Sequence, residues 1–519
     1  VTPIEAFLDI LRDEGVSRIF GNPGTTELPL ISALAEVSDV EYVLALQEMS
    51  AVAMADGYAR ATGQPSVVNL HVAAGVANGL IGMLNASRSR TPMVVTAGQQ
   101  DRRHLLQDPM LSGDLVRLAS AAVKHAAEVQ HAQDLPVMLR RAFALATQPP
   151  AGPVFLSIPM DLLAEDTDVE VPERSHHAGM GVAAGIDYVA GILAKAERPA
   201  IVAGDGVGRD HAMPELVEFA ERLGATVYHQ PMHDGINFPG THPLYAGMLM
   251  PANQAIRDSL KRHDLVFIVG CHAFMPHHYT PGPAIPDGMT VVQLDTDPGE
   301  PGRNFAVTGM VGALGPTLAA LTAKLQMPAT LPWIERPELQ VPDGLDPSAI
   351  AHAIASGLPE DAVVVEEAIT VGMKLRQVLR LDRPLSYVHT IGGGLGWGIG
   401  AAIGTRMGTP DRPVVAVLGD GCAMFGIQGL WSAAHYNVPV TFLVMNNGEY
   451  RTLKDTLDNT TKPHRYVGLD LSPPALDWTV AAAFFGVKSL RVNSAKELRD
   501  VIAVPADEPL LIDVPVRGH

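Results

Sequence analysis

Sulfur chemistry has little to work with in this chain. Of 519 residues only Cys271 and Cys422 are cysteines. They lie far apart, at no metal-ligand spacing, and are expected to be reduced, largely buried thiols. Long apolar runs are missing as well. No stretch approaches the roughly 18–20 residues of a membrane span. The opening VTPIEAFLDILRDEG spaces its apolar residues as an amphipathic helix and not as a signal peptide, so the cytoplasm is the expected location. Positive charge is scarce: 37 Lys and Arg stand against 56 Asp and Glu, a net charge of −19. Such a chain repels nucleic acids and anionic membrane surfaces, and neither is expected as a partner. A local anion site stays open to it, because a bound metal can supply the positive charge.

What is present is apolar material. Apolar residues make up 47% and charged residues 18%, a globular composition with enough substance for several cores. At roughly 100–200 residues per domain the length suggests about three domains. Short β-rich runs alternate with helical stretches: Ser66–Leu70, Met93–Ala97, Val154–Ile158, Ile201–Ala203, Asp264–Val269, Thr290–Leu294, Val414–Leu418 and Val440–Met445. These runs are nearly all apolar without period-2 alternation, as in strands buried on both faces. The expected class is α/β, with doubly wound parallel sheets. Two segments rich in Pro and charge, Glu165–Gly179 and Gln326–Pro347, read as linkers. They divide the chain into about 1–165, 180–325 and 345–519.

The third unit carries the clearest chemical signal. The run VVAVL ends in Gly419-Asp420-Gly421, and 24 residues later Asn446-Asn447-Gly448-Glu449 closes the run VTFLVM. Both motifs therefore sit at carboxyl ends of strands, where open α/β sheets bind ligands. An Asp carboxylate and an Asn carbonyl are hard oxygen donors that suit Mg²⁺, whose octahedron phosphate oxygens and water complete. The glycines let backbone approach a diphosphate, and a helix starting near Ala423 would aim N–H groups at it. The chain supplies its own control. Gly204-Asp205-Gly206 also follows a strand, but Pro231 and Met232 stand where an Asn pair would be needed. That copy reads as a structural turn.

These residues resemble the cofactor motif of the thiamine-diphosphate-dependent 2-oxo-acid decarboxylases and their acetolactate-synthase-like relatives. FGNPGTTELP (20–29), LALQE (44–48), NLHVAAG (69–75), TAGQQ (96–100), GGLG (393–396) and MNNGEY (445–450) extend the likeness over most of the chain, most closely to the benzoylformate decarboxylases. The resemblance implies a pyrimidine-binding domain (1–165), a central domain (180–325) and a diphosphate-binding domain (345–519). It implies thiamine diphosphate and Mg²⁺ as cofactors, with Gly419, Asp420, Gly421, Cys422, Ala423 and Asn447 around the diphosphate. Asp420, Asn447 and the backbone carbonyl of Glu449 would be the metal ligands. Glu48, just after an apolar pair, would hydrogen-bond the aminopyrimidine and promote the imino tautomer that activates the cofactor. A carboxylate at a helix start is otherwise ordinary. Leu395 would force the two cofactor rings into a V, and the Gly393 carbonyl would receive the amine. Since the family joins the first domain of one subunit to the third of another, a homodimer at minimum is implied, usually a dimer of dimers, so a homotetramer is expected.

By the same likeness His71 and His277 would handle protons near the reacting carbon, a task that suits imidazole. Thr25 would take the place of a serine that contacts the substrate carboxylate. His272, His435 and His464 have no matching motif and read as surface or structural. The substrate pocket departs from the benzoylformate pattern. Met110 and Leu111 keep an apolar wall, whereas His389, Thr452 and Thr456 replace apolar residues and Ile369 replaces a threonine. A polar pocket residue needs a partner, which a hydroxylated aromatic or a smaller polar 2-oxo acid would provide. The polar segment Tyr450–Asp470 reads as a partly mobile flap over the site.

The expected reaction is therefore non-oxidative decarboxylation of a small 2-oxo acid, benzoylformate-like, to an aldehyde and CO₂. A carboligase of the acetolactate-synthase kind differs only in what the reactive intermediate meets, a second carbonyl instead of a proton. A non-catalytic homologue would be marked by loss of the glutamate, but Glu48 is present. A nicotinamide dehydrogenase fits the α/β pattern and fails on the missing G-x-G-x-x-G fingerprint.

Overall fold

Residues 1–176, 179–335, 343–461 and 465–517 are described by the structure, a computed structural model. The apolar runs named above are all strands: Ser66–His71, Met93–Gln99, Pro153–Pro159, Pro199–Ala203, Leu265–Val269, Thr290–Asp295, Val414–Gly419 and Val440–Asn446. Their burial explains why alternation is missing. Every residue of Met93–Gln99 and of Pro153–Pro159 is buried, since helices cover both faces of a parallel sheet. The opening segment is the helix Pro3–Asp13, started by a capping box between Thr2 and Glu5. Among the described residues no helix is long and apolar enough to cross a membrane.

The strands form three six-stranded sheets. The first has the order Glu41–Leu44, Arg18–Gly21, Ser66–His71, Met93–Gln99, Pro153–Pro159, His125–Glu128. The second runs Thr308–Val311, Thr290–Asp295, Leu265–Val269, Pro199–Ala203, Thr226–His229, Tyr245–Met248. The third runs Tyr387–His389, Val363–Glu367, Val414–Gly419, Val440–Asn446, Leu510–Pro515, Lys488–Arg491. The expected class, doubly wound parallel α/β, is the one found.

Two compact units emerge. The first comprises Val1–His176, Val341–Lys374 and Thr390–His519, and the second His177–Gln340 and Leu375–His389. Within the first unit the helices Glu48–Thr62 and Trp397–Gly408 lie against each other at backbone distance. A Cβ on Gly404 would fall 1.8 Å from the Met54 carbonyl oxygen, and one on Gly57 would fall 2.1 Å from that of Ala401. Only glycine permits that approach. It matters because one helix begins at Glu48 and the other begins directly after the GGLG turn. Residues 336–342, inside the second linker, and His464 lie outside the described residues.

Candidate cofactor site and active-site residues

The strands Val414–Gly419 and Val440–Asn446 are parallel neighbours, with Gly419 beside Met445. Their ends therefore release Asp420 and Asn447 side by side. Asp420 is buried, and its Oδ1 accepts from the Gly421 N–H at 2.8 Å while Oδ2 accepts from the Gly448 N–H at 2.7 Å. Burial raises its pKa despite the backbone N–H groups of Gly448, Gly421 and Asn447. Asn447 Oδ1 accepts from the Glu449 N–H at 3.2 Å. A carboxylate oxygen, an amide oxygen and the Glu449 carbonyl form a hard-donor set for a divalent cation. Among the described residues no group of three or more His, Cys, Asp or Glu could hold a metal, and this set uses only one such side chain. Gly421 lies under Tyr450, where a Cβ would meet the ring at 2.7 Å. The helix begins at Asp420 and ends at Phe425, three residues earlier than the Ala423 start read from the sequence. Cys422 and Ala423 are buried inside it, and burial pushes the Cys422 thiol up.

The control motif has the opposite fate. Asp205 is buried at the start of a short helix, Asp205–Arg209. Its carboxylate is occupied by Gln230 Nε2 at 2.6 Å, Asn237 Nδ2 at 2.8 Å and the Asp234 N–H at 3.0 Å. Side-chain amides fill the coordination that a metal would need.

Glu48 opens the helix Glu48–Thr62, capped by Gln47 through the Ser50 N–H. Asn78 Nδ2 donates to Glu48 Oε2 at 2.9 Å. The carboxylate packs beside Gly75, one turn into the helix Val72–Arg88 that follows His71. His71 ends its strand half-buried, with Nδ1 2.8 Å from Glu27 Oε2 and 3.1 Å from Thr26 Oγ1. Glu27 is buried and also accepts from the N–H groups of Gly24 and Gly98 and from the Thr26 hydroxyl. All its neighbours donate, so His71 carries a proton on Nδ1, and Nε2 is the ring nitrogen not bound to Glu27. Thr25 is exposed and begins the short 3₁₀ turn Thr25–Glu27 after Gly24.

The GGLG turn is held from two sides. Asn85, wholly buried, exchanges hydrogen bonds with Gly394: Nδ2 to its carbonyl at 2.9 Å, and its N–H to Oδ1 at 3.0 Å. Glu367 accepts from the N–H groups of Gly396, Trp397 and Gly398 at 2.8, 3.1 and 2.9 Å. Burial pushes Glu367 up to about 8 in spite of those donors. Just before the Asn85 anchor Gly393 is exposed with φ +78°, and between the two anchors Leu395 is half-buried.

The pocket residues read from the sequence scatter. Met110 is 82% exposed and Leu111 41%, in the loop after TAGQQ, and Ile369 is 51% exposed. Thr452 and Thr456 lie on the helix Arg451–Thr460. Within Tyr450–Asp470, expected to be a flap, residues Arg451–Thr460 are thus helical. Arg451 pairs with Asp455, and buried Lys454 binds both Glu449 and Asp470, which supports helix where the apolar pattern is weak. Thr452 Oγ1 stands 3.1 Å from Thr370 Oγ1, whereas Thr456 donates to the Thr452 carbonyl of its own helix.

His277 and His389 belong to the second unit. His277 is exposed, its ring against His278. His389 is buried beside Tyr387 and receives the Arg376 guanidinium at 3.0 Å. Of the surface or structural readings, His272 takes the structural one: its Nδ1 lies 2.7 Å from buried Glu300. His435 stacks on Trp431. Sequence reasoning missed Glu27, Asn78, Asn85, Glu367 and Thr370. Glu27 stands inside a quoted motif, which was the one available signal.

Family models match most of the chain. They are the thiamine pyrophosphate enzyme N-terminal TPP binding domain over residues 2–123, the central domain over 186–321 and the C-terminal TPP binding domain over 370–514. The benzoylformate decarboxylase of Pseudomonas aeruginosa is 36% identical over 99% of this chain and 98% of its own. The chain belongs to the thiamine pyrophosphate enzyme family. An acetolactate synthase large subunit from Parasynechococcus marenigrum is 29% identical over 99% of this chain and 87% of that one. Among solved structures, a thiamine diphosphate-dependent 4-hydroxybenzoylformate decarboxylase from Rhodococcus jostii superposes with a TM-score of 0.94 at 33% identity, covering 100% of both chains. The benzoylformate decarboxylase of Polynucleobacter necessarius gives 0.94 at 31% identity over 99% of this chain and 98% of that one. Membership in the family makes thiamine diphosphate the cofactor, and the Asp420–Asn447 strand ends fit its diphosphate.

Proposed function

We propose that this chain decarboxylates an aromatic 2-oxo acid without oxidation, using thiamine diphosphate and Mg²⁺, and releases an aldehyde and CO₂. The observation that carries the reading is the Glu27–His71 hydrogen bond at 2.8 Å. It commits one imidazole nitrogen and leaves the other to move a proton, and a decarboxylase must protonate its product carbon. Thiamine diphosphate, when bound, supplies the nucleophilic carbon and the electron sink. The chain's residues do the rest. Asp420, Asn447 and the Glu449 carbonyl hold Mg²⁺ against the diphosphate. Glu48, steadied by Asn78, shares a proton with the pyrimidine nitrogen. Leu395 would pack against the cofactor, while Thr25 and His71 would orient the substrate carboxylate and carbonyl, and His71 or His277 would deliver the proton.

The pyrimidine-binding, central and diphosphate-binding domains are assigned to 1–165, 180–325 and 345–519. A homodimer at least, and by family habit a tetramer, completes the site. Ile81, Leu84, Met424 and Phe425 are exposed in the first unit along with Met110, and exposed apolar side chains of this kind mark contact surfaces. The Thr370–Thr452 hydroxyl pair supplies partners for a ring hydroxyl on the substrate, which makes a 4-hydroxylated arylglyoxylate a natural member of the class.

A carboligase of the acetolactate-synthase kind is the second reading. The second unit favours the first. At the switch point between Pro199–Ala203 and Leu265–Val269, where α/β sheets take dinucleotides, the Gly206 N–H is spent on the Gly270 carbonyl and the Asp205 carboxylate occupies the helix start. A flavin there would meet an acid in place of free N–H groups. The deciding experiment is a panel of 2-oxo acids with thiamine diphosphate and Mg²⁺, scored for CO₂ and aldehyde with and without an added aldehyde acceptor. CO₂ and a single aldehyde from an aromatic acid are expected. No CO₂ from any aromatic member, or a coupled product as the main one, would defeat the proposal.

A further inference from the structure

We propose that Asn85 and Glu367 are positioning residues that clamp the turn Gly393–Gly396 and thereby set the thiamine end of the cofactor seat, separately from the diphosphate end. The proposal rests on reading that turn as part of the seat. One anchor grips it at Gly394, between the two residues that would touch the cofactor, and the other grips it just after them. Asn85 makes a two-way bond to Gly394, and Glu367 takes the three N–H groups of Gly396, Trp397 and Gly398. The Gly393 carbonyl belongs to the peptide whose Gly394 N–H Asn85 holds, and Leu395 lies between Gly394 and the Glu367 anchor.

Two glycines at the turn make room for the Asn85 side of this grip. A Cβ on Gly392 would fall 2.3 Å from Asn85 Oδ1, and one on Gly394 would fall 3.0 Å from the same atom and 2.3 Å from Ile81 Cγ2. Glycine at 392 and 394 thus leaves room for the buried amide and for Ile81. Glu367 acts on the other side as a carboxylate at the start of the helix Trp397–Gly408, where three backbone N–H groups and the helix dipole favour it. Its own strand, Val363–Glu367, neighbours Val414–Gly419, the strand that delivers Asp420. Asn85 in turn shares a helix with Asn78, which holds Glu48. Seven residues, or about 10 Å of rise, separate the two amides, and they lie on one helix face. Asn85 thus sits in an element that also carries another part of the seat, and Glu367 in one that pairs with such an element.

Glycine-rich turns are pliant, and without anchors this one would sample many states. The diphosphate end depends on different groups, Asp420, Gly448 and Asn447. Two ligands separate the ends: thiamine diphosphate with Mg²⁺ engages both, and magnesium pyrophosphate engages only the second. Binding of each to the full-length protein is measured by calorimetric titration, with circular dichroism and thermal unfolding of the unliganded protein as folding controls. Asn85→Ala and Glu367→Gln are expected to bind thiamine diphosphate about tenfold or more weakly while holding magnesium pyrophosphate within about threefold of wild type. Asn85→Asp, which keeps the acceptor for the Gly394 N–H and loses the donor, should fall between wild type and Asn85→Ala, and it preserves the test if Glu367→Gln fails to fold. Unchanged thiamine diphosphate affinity in folded variants overturns the clamp, and so does an equal loss of both ligands. Asp420→Ala tells the two failures apart. If it binds magnesium pyrophosphate like wild type, the seat itself is misassigned; if it loses both ligands while the clamp variants lose neither, only the clamp is wrong.

Discussion

His71 Nδ1 stands 2.8 Å from Glu27 Oε2, and the same carboxylate is held by the N–H groups of Gly24 and Gly98 and by the Thr26 hydroxyl. A buried acceptor fixed from so many directions cannot turn away from the imidazole. The Nδ1 proton is held there, so Nε2 is the atom that the proposed mechanism assigns to the substrate.

Replacing Glu27 by Gln brings an amide donor up against groups that already donate. Turnover is expected to fall on the order of 100-fold, the loss of one general acid–base contribution, while thiamine diphosphate affinity stays near wild type. Because Glu27 acts through His71, the double variant Glu27→Gln/His71→Ala should be no slower than His71→Ala alone. Steady-state kinetics of the three variants checks this, and additive losses would refute the coupling.

The two Gly-Asp-Gly sequences make a second test. Asp420 is bonded to backbone N–H groups, whereas Asp205 is consumed by Gln230 and Asn237. Asp420→Ala should abolish detectable cofactor binding while the unliganded protein still folds. Asp205→Ala should bind cofactor normally and lose about 1–3 kcal/mol of stability, as buried amides are left unpaired. Calorimetric titration and denaturant unfolding separate the outcomes. Loss of cofactor in the Asp205 variant would place the site elsewhere.

The sheets were legible because parallel strands buried on both faces write themselves as unbroken apolar runs, such as Val414–Leu418. The strand ends carrying Asp420 and Asn447 were legible for the same reason. The polar supports were not. Asn78, Asn85 and Glu367 are ordinary polar residues in apolar periodic segments, and only contacts as distant as Asn85 to Gly394 give them meaning. The helix Arg451–Thr460 was missed because its order comes from ion pairs to Glu449 and Asp470 and not from an apolar stripe.

The second unit carries a pH liability. His229 is buried between Tyr245 and His233 and accepts from the N–H groups of Asn237 and Phe238 through Nε2. Burial lowers it to about 3, and burial with the nearby His229 and Arg376 charges lowers His233 as well. An unfolded histidine binds its proton near 6.5, so between about 6.5 and 3 the unfolded state holds more protons than the native one. Stability therefore rises with pH across that window and is lost as pH falls. His229 alone should cost about 2 kcal/mol on going from pH 7 to pH 5. Thermal unfolding at both values is expected to show a smaller drop in His229→Gln than in wild type; an identical drop would show that this histidine is not the sensor.

Lys454 closes the account of the site's outer edge. Its ammonium binds Glu449 and Asp470 and lies 5.0 Å over the Tyr466 ring. The backbone runs the same way, with the Tyr450 N–H on the Leu469 carbonyl and the Leu471 N–H on that of Gly448. Lys454 thus ties the helix Arg451–Thr460 to the turn that presents the Glu449 carbonyl. Lys454→Met keeps the stem's packing and removes the charge, so Glu449 and Asp470 lose their shared cation, at a cost of about 1–3 kcal/mol. The turn should loosen, Mg²⁺-dependent thiamine diphosphate affinity should drop about tenfold, and limited proteolysis should cut within 451–470 where wild type resists. Wild-type affinity together with a wild-type digestion pattern would show that the backbone pairing alone holds the turn.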